Sequence, residues 1–171
     1  EATYEKLRRV NEVIYYCPKP TVAVIERYAF GLGATLVSWC DLAIAESTAL
    51  LSYPEVHHGI TPSPAVMALQ RGIPRKAMMD ILMTGRRVAM DEALAMGLVS
   101  RVVAPEALSA TVDETVQALL RGSPQAQQRT KAFIWHSEDS GHRAAMASAV
   151  GAISLGLTSD ETRDGIAAFL E

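Results

Sequence analysis

The chain is poor in the features that mark extracellular, membrane-spanning and nucleic-acid-binding proteins. Its 171 residues include only two cysteines, Cys17 and Cys40, which form no close pair motif. They suggest no disulfide framework and favour a reducing compartment, so we expect the protein in the cytoplasm. No apolar run approaches the roughly 18 residues of a membrane span. The net charge of −3 favours neither a nucleic acid nor an anionic membrane as a partner.

The chain also lacks the short motifs of several catalytic classes. It contains no Walker-type phosphate loop, no G-x-G-x-x-G and no G-x-S-x-G nucleophile elbow. Of its four histidines, His57 and His58 are adjacent, whereas His136 and His142 stand apart from any motif. None of them joins further ligands at metal-binding spacing, so the sequence predicts no metal site.

What the chain does have is an alternation of strand and helix signals followed by a helical tail. Apolar spacing predicts helices over residues 4–16, 31–39, 65–71, 74–83, 91–97, 106–121, 124–137, 140–156 and 160–170. Apolar and β-branched runs predict strands over residues 21–25, 42–45, 49–53 and 98–103. We therefore expect an α/β fold with its core in residues 1–104 and a helical region in residues 105–171.

The turn Gly31-Leu32-Gly33 lies between a predicted strand and a predicted helix. Peptide N–H groups at a helix start are unused by the helix and carry a partial positive charge. Such groups stabilise the enolate oxygen that develops beside a thioester carbonyl. A glycine turn that merely joins a strand to a helix accounts for the same residues, so the turn alone leaves both interpretations open.

Glu55 is the second candidate for a chemical role. It lies between Pro54 and Val56, outside any predicted surface helix. A carboxyl group in an apolar pocket can serve as a general acid or base near neutral pH. A loop glutamate that caps a helix or forms a salt bridge is the alternative. His57 and His58 follow, and in an extended segment neighbouring side chains point opposite ways, so at most one of them faces a shared pocket.

Several motifs occur together in one order along the chain. They are Lys19-Pro20, Tyr28 to Gly33, Cys40 to Ala45, Pro54-Glu55-Val56 with Gly59 and Pro62, Thr84-Gly85-Arg86, Ala93 to Val99, and Thr158 to Glu161 with Gly165-Ile166. In this order they resemble the enoyl-CoA hydratase/isomerase (crotonase) superfamily. The resemblance implies an α/β spiral of ββα units, followed by a helical region used to form a homotrimer or a dimer of trimers. It implies acyl-CoA substrates and no separate cofactor, since coenzyme A enters as part of the substrate.

The resemblance also implies roles for individual residues. The backbone N–H of Leu32, flanked by Gly31 and Gly33, corresponds to one of two oxyanion donors, at a position where the family usually has glycine. Glu55 corresponds to the family's acid–base residue. The second donor and the N-terminal ββα units have no counterpart in this sequence. We therefore expect the chain to be the C-terminal two thirds of a longer domain.

Thr35 bears on the type of reaction. By the same resemblance it occupies the position of a second glutamate found in many family hydratases, and a threonine cannot act as a base near neutral pH. A 1,3 proton shift needs only one base. The expected activity is therefore that of an acyl-CoA hydratase or double-bond isomerase with Glu55 as its single acid–base residue. The alternatives are a hydratase-lyase for aromatic or branched acyl-CoA, and a non-catalytic assembly module of the same fold.

Other residues are interpreted from the same resemblance. It implies that an acyl pocket is shaped by Tyr53, Val56, Pro62 and Met67, although core residues would look the same in sequence. Gly31, Gly33, Thr35 and His57 are also expected to contact the substrate. Arg86, Arg87 and Lys131 are interpreted either as contacts for coenzyme A phosphates or as solvated charges. Asp41 is expected to be a hydrogen-bonding loop residue rather than a catalytic one.

Overall fold

The computed structural model describes residues 2–140, 142–157, 162–163 and 166–167. Its α-helices are Ala2–Tyr15 (α1), Leu32–Trp39 (α2), Ser63–Leu69 (α3), Arg75–Thr84 (α4), Met90–Met96 (α5), Leu108–Leu120 (α6), Pro124–Asp139 (α7) and His142–Leu157 (α8). Its strands are Val22–Ile25 (β1), Tyr28–Phe30 (β2), Leu42–Glu46 (β3), Leu50–Ser52 (β4), Arg87–Ala89 (β5) and Arg101–Val103 (β6). Two 3₁₀ helices span Pro54–His58 and Pro105–Ala107. None of the described helices has the length and apolar character needed to cross a lipid bilayer.

The strands form two three-stranded sheets, with the orders β1-β3-β6 and β2-β4-β5. The first sheet is parallel throughout, whereas in the second β2 and β4 are parallel and β5 is antiparallel to β4. Phe30 at the end of β2 lies opposite Ser52 at the end of β4. Because these two strands run in the same direction, the segments that follow them leave the sheet side by side.

The core lies around these sheets and the helices that cover them. Residues 43–45 of β3 are all buried, as expected for a strand covered on both faces. The largest side chains with almost no exposed surface are Tyr53, Ile25, Ile44, Leu51, Ile81, Met90 and Val88. Burying one side chain of this size contributes about 1.5–3 kcal/mol, so this cluster holds the elements in place.

The described chain divides into two compact units, residues 1–117 and 118–171. The division falls inside α6, whereas the sequence placed a boundary after residue 104. In the second unit, Ser123 caps α7 by accepting a hydrogen bond from the Ala126 N–H at 3.0 Å. The Thr158 to Glu161 motif lies outside the described residues, as does most of the predicted helix 160–170. A role of this unit in trimer formation stays a prediction.

The sequence patterns missed three short elements. Strands β2 and β5 have only three residues each, too few to show a periodicity. The third is the 3₁₀ helix Pro54–His58, which is followed by Gly59 with φ +68°. The expectation that His57 and His58 lie in an extended segment is therefore wrong, because the proline start and the left-handed glycine close the chain into a helical turn.

Candidate active site

The site is organised by the turn that joins β2 to α2. Gly31 adopts φ 55° and ψ −119°, a conformation that residues with a side chain rarely reach. Its N–H donates to the Ser52 carbonyl at 2.9 Å, and its own carbonyl accepts from the Thr35 N–H at 3.0 Å. The Thr35 bond is the first of the helix, so the N–H groups of the preceding first turn, that of Leu32 among them, are not used by α2.

Leu32 and Gly33 both lie at the surface of this first turn. Leu32 is 45% exposed, so its side chain finds room at the surface of the turn. A Cβ atom at Gly33 would have no heavy atom within 4 Å. Gly33 borders an open, largely apolar cleft of about 510 Å³ formed by β1, β2 and α2. The approach to the N-terminus of α2 is therefore open from this side.

Glu55 lies in the 3₁₀ helix that follows β4, and its carboxylate faces the Gly31 turn. A Cβ atom at Gly31 would lie 3.7 Å from Oε1 of Glu55. The other carboxylate oxygen, Oε2, is buried and has no hydrogen-bond partner among the described residues. A buried carboxylate oxygen without a partner is costly, and such groups are concentrated at functional sites. The structure thus places a carboxylate beside the N-terminus of α2. The acid–base role of Glu55 and the oxyanion-binding role of the Leu32 N–H stay predictions.

Thr35 lies one helical turn beyond Gly31, inside the protein. Its side chain is buried, and its hydroxyl donates to the Gly31 carbonyl at 3.2 Å. The proton of this hydroxyl is therefore directed to the backbone of the turn. Thr35 thus stabilises the Gly31 turn from the side of α2 that packs into the core.

Tyr53 precedes the 3₁₀ helix and is completely buried. Its hydroxyl lies 2.6 Å from Ser38 Oγ, and Ser38 donates to the Ala34 carbonyl at 2.9 Å. Burial raises the pKa of the Tyr53 phenol well above its usual range, the bond to Ser38 opposes this, and the Glu55 charge adds to it. Ser38 belongs to no sequence motif. Its position four residues after Ala34 on α2 is the only sequence signal for its hydrogen bond to the Ala34 carbonyl, and no signal indicates its bond to Tyr53.

The other residues expected around an acyl pocket are placed differently. His57 is exposed, and its ring lies against Gly85 at the C-terminal end of α4, where a Cβ atom would be 2.6 Å from Nε2. Val56 is half-buried, and Pro62 is buried immediately before α3. Contact of these three residues with an acyl group stays a prediction.

Several charged residues have local partners. Arg86 forms ion pairs with Asp80 at 2.6 Å and with Glu92 at 2.5 Å. The Arg87 guanidinium lies 5.5 Å from the centre of the Phe30 ring, and in the second unit Lys131 Nζ lies 5.0 Å from the centre of the Trp135 ring. Binding of coenzyme A phosphates by Arg86, Arg87 or Lys131 stays a prediction.

Asp41 is the hydrogen-bonding loop residue that the sequence predicted. Its carboxylate accepts from the Thr21 N–H at 2.7 Å and from the Thr21 hydroxyl at 2.8 Å. The described part of the chain contains no group of three or more His, Cys, Asp or Glu side chains arranged to hold a metal ion.

Comparisons with known proteins identify the family and the fold of this chain. The family model for enoyl-CoA hydratase/isomerase matches residues 1–171. The chain is 37% identical to the carnitinyl-CoA dehydratase of Citrobacter koseri, over 66% of this chain and 44% of that protein. It is 30% identical to the short-chain-enoyl-CoA hydratase of Clostridium acetobutylicum, over 90% of this chain and 59% of that protein. The crystal structure of an enoyl-CoA hydratase from Mycobacterium smegmatis superposes with a TM-score of 0.94 at 30% identity, over 99% of this chain and 68% of that one.

The family model covers this whole chain, whereas this chain covers only part of each related protein. The chain spans 44 to 65% of the length of the first curated relatives. The family match nevertheless runs over residues 1–171, so it gives no support to the expectation that the chain is the C-terminal two thirds of the domain. The structural matches establish an α/β, crotonase-like fold. From its fold and its match to the family model, the chain belongs to the enoyl-CoA hydratase/isomerase family.

Proposed function

We propose that the protein is an acyl-CoA hydratase or double-bond isomerase, in which Glu55 transfers a proton and the Leu32 N–H binds the enolate oxygen. The observation that carries the proposal is the position of the Glu55 carboxylate beside the N-terminus of α2. Its Oε1 faces Gly31, at 3.7 Å from where a Cβ atom would lie, and its Oε2 has no partner among the described residues. These observations support a base and an oxyanion donor on neighbouring segments.

The chemistry follows from this pairing. Removing a proton from the carbon next to a thioester carbonyl moves negative charge onto the carbonyl oxygen. Backbone N–H groups at a helix start stabilise that charge, and the loss of one such donor typically lowers kcat by about 100- to 1,000-fold. In isomerisation, Glu55 takes a proton from C2 of a 3-enoyl thioester, the double bond moves to C2=C3, and the proton returns to C4.

Thr35 bears on the choice between the two reactions. Because its hydroxyl donates to the Gly31 carbonyl, it supplies no second acid–base group at the turn. Glu55 alone suffices for isomerisation, whereas for hydration it must serve both the attacking water and the proton delivered to C2. The names of the curated relatives, a hydratase and a dehydratase, favour reactions of water. We therefore propose both hydration and double-bond isomerisation, and both must be assayed.

The test is to assay the whole protein with crotonyl-CoA for hydration and with 3-enoyl-CoA for isomerisation. We expect Glu55→Gln to lower kcat by about 100- to 10,000-fold, which is the range for loss of a positioned acid–base group. The matched control is Glu106→Gln, since Glu106 is exposed and also follows a proline at the start of a 3₁₀ helix. Equal activity of Glu55→Gln and wild type would overturn the mechanism.

Two other outcomes would identify the alternative functions. Release of an aldehyde and acetyl-CoA from an aryl acyl-CoA would indicate a hydratase-lyase. Binding of acyl-CoA without turnover of any of these substrates would indicate a non-catalytic module. Light scattering in the same preparation tests the expected homotrimer or dimer of trimers.

A further inference from the structure

Two hydroxyl groups, those of the buried Tyr53 and the half-buried Ser38, connect the segment that carries Glu55 to the first turn of α2. They lie 2.6 Å apart, and either can be the donor in their shared bond. Each can also donate to the Ala34 carbonyl, Ser38 Oγ at 2.9 Å and the Tyr53 hydroxyl at 3.4 Å. Because each hydroxyl has one proton, one donates to the other while the second donates to Ala34.

We infer that Tyr53 is a positioning residue, whose bond to Ser38 holds the Pro54–His58 helix, and with it Glu55, against the N-terminus of α2. This role rests on the proposed function of Glu55. It differs from the pocket-lining role expected from the sequence, because the Tyr53 side chain has no exposed surface with which to contact a substrate.

The place of Tyr53 in the chain explains why its hydroxyl matters for the carboxylate. Tyr53 lies two residues before Glu55, and Ala34 lies in the first turn of α2, next to Gly31 and Leu32. The hydrogen bond from the Gly31 N–H to the Ser52 carbonyl, at 2.9 Å, holds the end of β4 just before Tyr53. The contact of the Tyr53 side chain with α2 is a second attachment, one residue nearer to the Pro54–His58 helix. A displacement of about 1 Å at a reacting group can cost about 100-fold in rate.

The phenol is suited to a role that does not change with pH. Burial keeps the pKa of Tyr53 well above its usual range, and the Glu55 charge adds to that effect while Ser38 opposes it. Tyr53 therefore keeps its proton over the whole pH range in which the enzyme is assayed. A positioning role predicts that removal of the hydroxyl lowers kcat while the limbs of the pH–rate profile keep their positions.

The experiment compares wild type, Tyr53→Phe, Ser38→Ala and the double variant with the substrate that wild type turns over, well below the melting temperature of each variant. We expect each single variant to lower kcat about 10-fold with KM changed less than about twofold, since a bond worth about 1.4 kcal/mol is lost from positioning and not from binding. The double variant should lose less than the sum of the two single losses, because both single variants remove the same bond between Tyr53 and Ser38.

A matched control is available in helix α6, away from the candidate active site. Thr115 is also a buried hydroxyl with two hydrogen bonds, one from Arg101 and one to the Thr111 carbonyl. Thr115→Val should lower the melting temperature but leave kcat at the wild-type value. If Tyr53→Phe fails to fold, Ser38→Ala decides the question alone.

Three results would overturn the inference. The first is a wild-type kcat in Tyr53→Phe or Ser38→Ala with only a lower melting temperature. The second is additive loss in the double variant, and the third is the disappearance of a limb of the pH–rate profile in Tyr53→Phe. If wild type turns over no acyl-CoA, the proposed function falls and this role falls with it. If Glu55→Gln is inactive while Tyr53→Phe is normal, only the positioning role fails.

Discussion

Replacement of Gly85 by alanine should destabilise the protein in two separable ways. Gly85 ends α4 with φ +60°, a conformation that costs a residue with a Cβ atom roughly 1–2 kcal/mol. The new Cβ atom would also lie 2.6 Å from His57 Nε2 and 2.8 Å from His57 Cδ2. Because His57 is exposed and its ring can move, we place this crowding at about 1 kcal/mol, the low end for overpacking. The expected total is about 2–3 kcal/mol.

The assay is urea unfolding followed by circular dichroism, with a second glycine as the matched control. Gly97 ends α5 with φ +85°, but a Cβ atom there would meet only an ordinary contact, 3.5 Å from the Gly72 carbonyl. Gly97→Ala should therefore lower the free energy of unfolding only by the cost of the left-handed conformation, about 1–2 kcal/mol. His57→Ala in the Gly85→Ala background should recover about 1 kcal/mol by removing the crowded ring.

The same substitution also reaches the candidate active site. A Cβ atom at Gly85 would lie 3.3 Å from Pro54 Cα, which precedes Glu55 and has no flexible side chain to move aside. We therefore expect kcat of Gly85→Ala to fall as well, and to stay low when His57 is also replaced. The reasoning is refuted if Gly85→Ala costs no more than Gly97→Ala, or if His57→Ala recovers nothing.

Two further predictions concern other parts of the first unit. Asn11 is 6% exposed and its Oδ1 is buried with no partner among the described residues, so Asn11→Leu should raise stability by about 1 kcal/mol. Asn11→Asp should lower it, and a lower melting temperature for Asn11→Leu would contradict the argument. Arg86 lowers the pKa of Glu92 below its ordinary value of 4.5, chiefly through their hydrogen bonds, so this pair adds stability above that pH and loses it as the pH falls through the folded-state pKa. The stability difference between wild type and Arg86→Ala should therefore shrink on acidification and in high salt, and a difference that grows toward low pH would count against it.

In the proposed mechanism, proton transfer by Glu55 and enolate binding by the Leu32 N–H depend on the same contacts. The Leu32 N–H and the Glu55 carboxylate belong to segments that meet at the end of one sheet, and Tyr53 and Ser38 join those segments inside the core. We expect a change at any of these contacts to alter the distance between the Glu55 carboxylate and the Leu32 N–H. The variants described above therefore test one geometry through different contacts.

The elements that could be predicted from sequence are those whose signal is local. Strand β3 is a continuous apolar run, and helix α7 begins at a serine followed by a proline, so each carries its own start and pattern. The three-residue strands β2 and β5 carry no such pattern, because they are strands only by virtue of the neighbours they pair with. The Pro54–His58 helix was missed for a similar reason, since one short turn has no periodicity.

The chemical groups can be read from the sequence: a Gly31-Leu32-Gly33 turn, Glu55 after a proline, and a threonine at position 35. Their proximity depends on the tertiary structure. Parallel pairing of β2 with β4 sets Phe30 opposite Ser52, so that the turn and the glutamate segment leave the sheet at the same edge. The contacts that hold them there, Gly31 to Ser52 and Tyr53 to Ser38, join residues far apart in the chain. No local pattern encodes such a contact, because its energy exists only once the strands have paired and the core has closed.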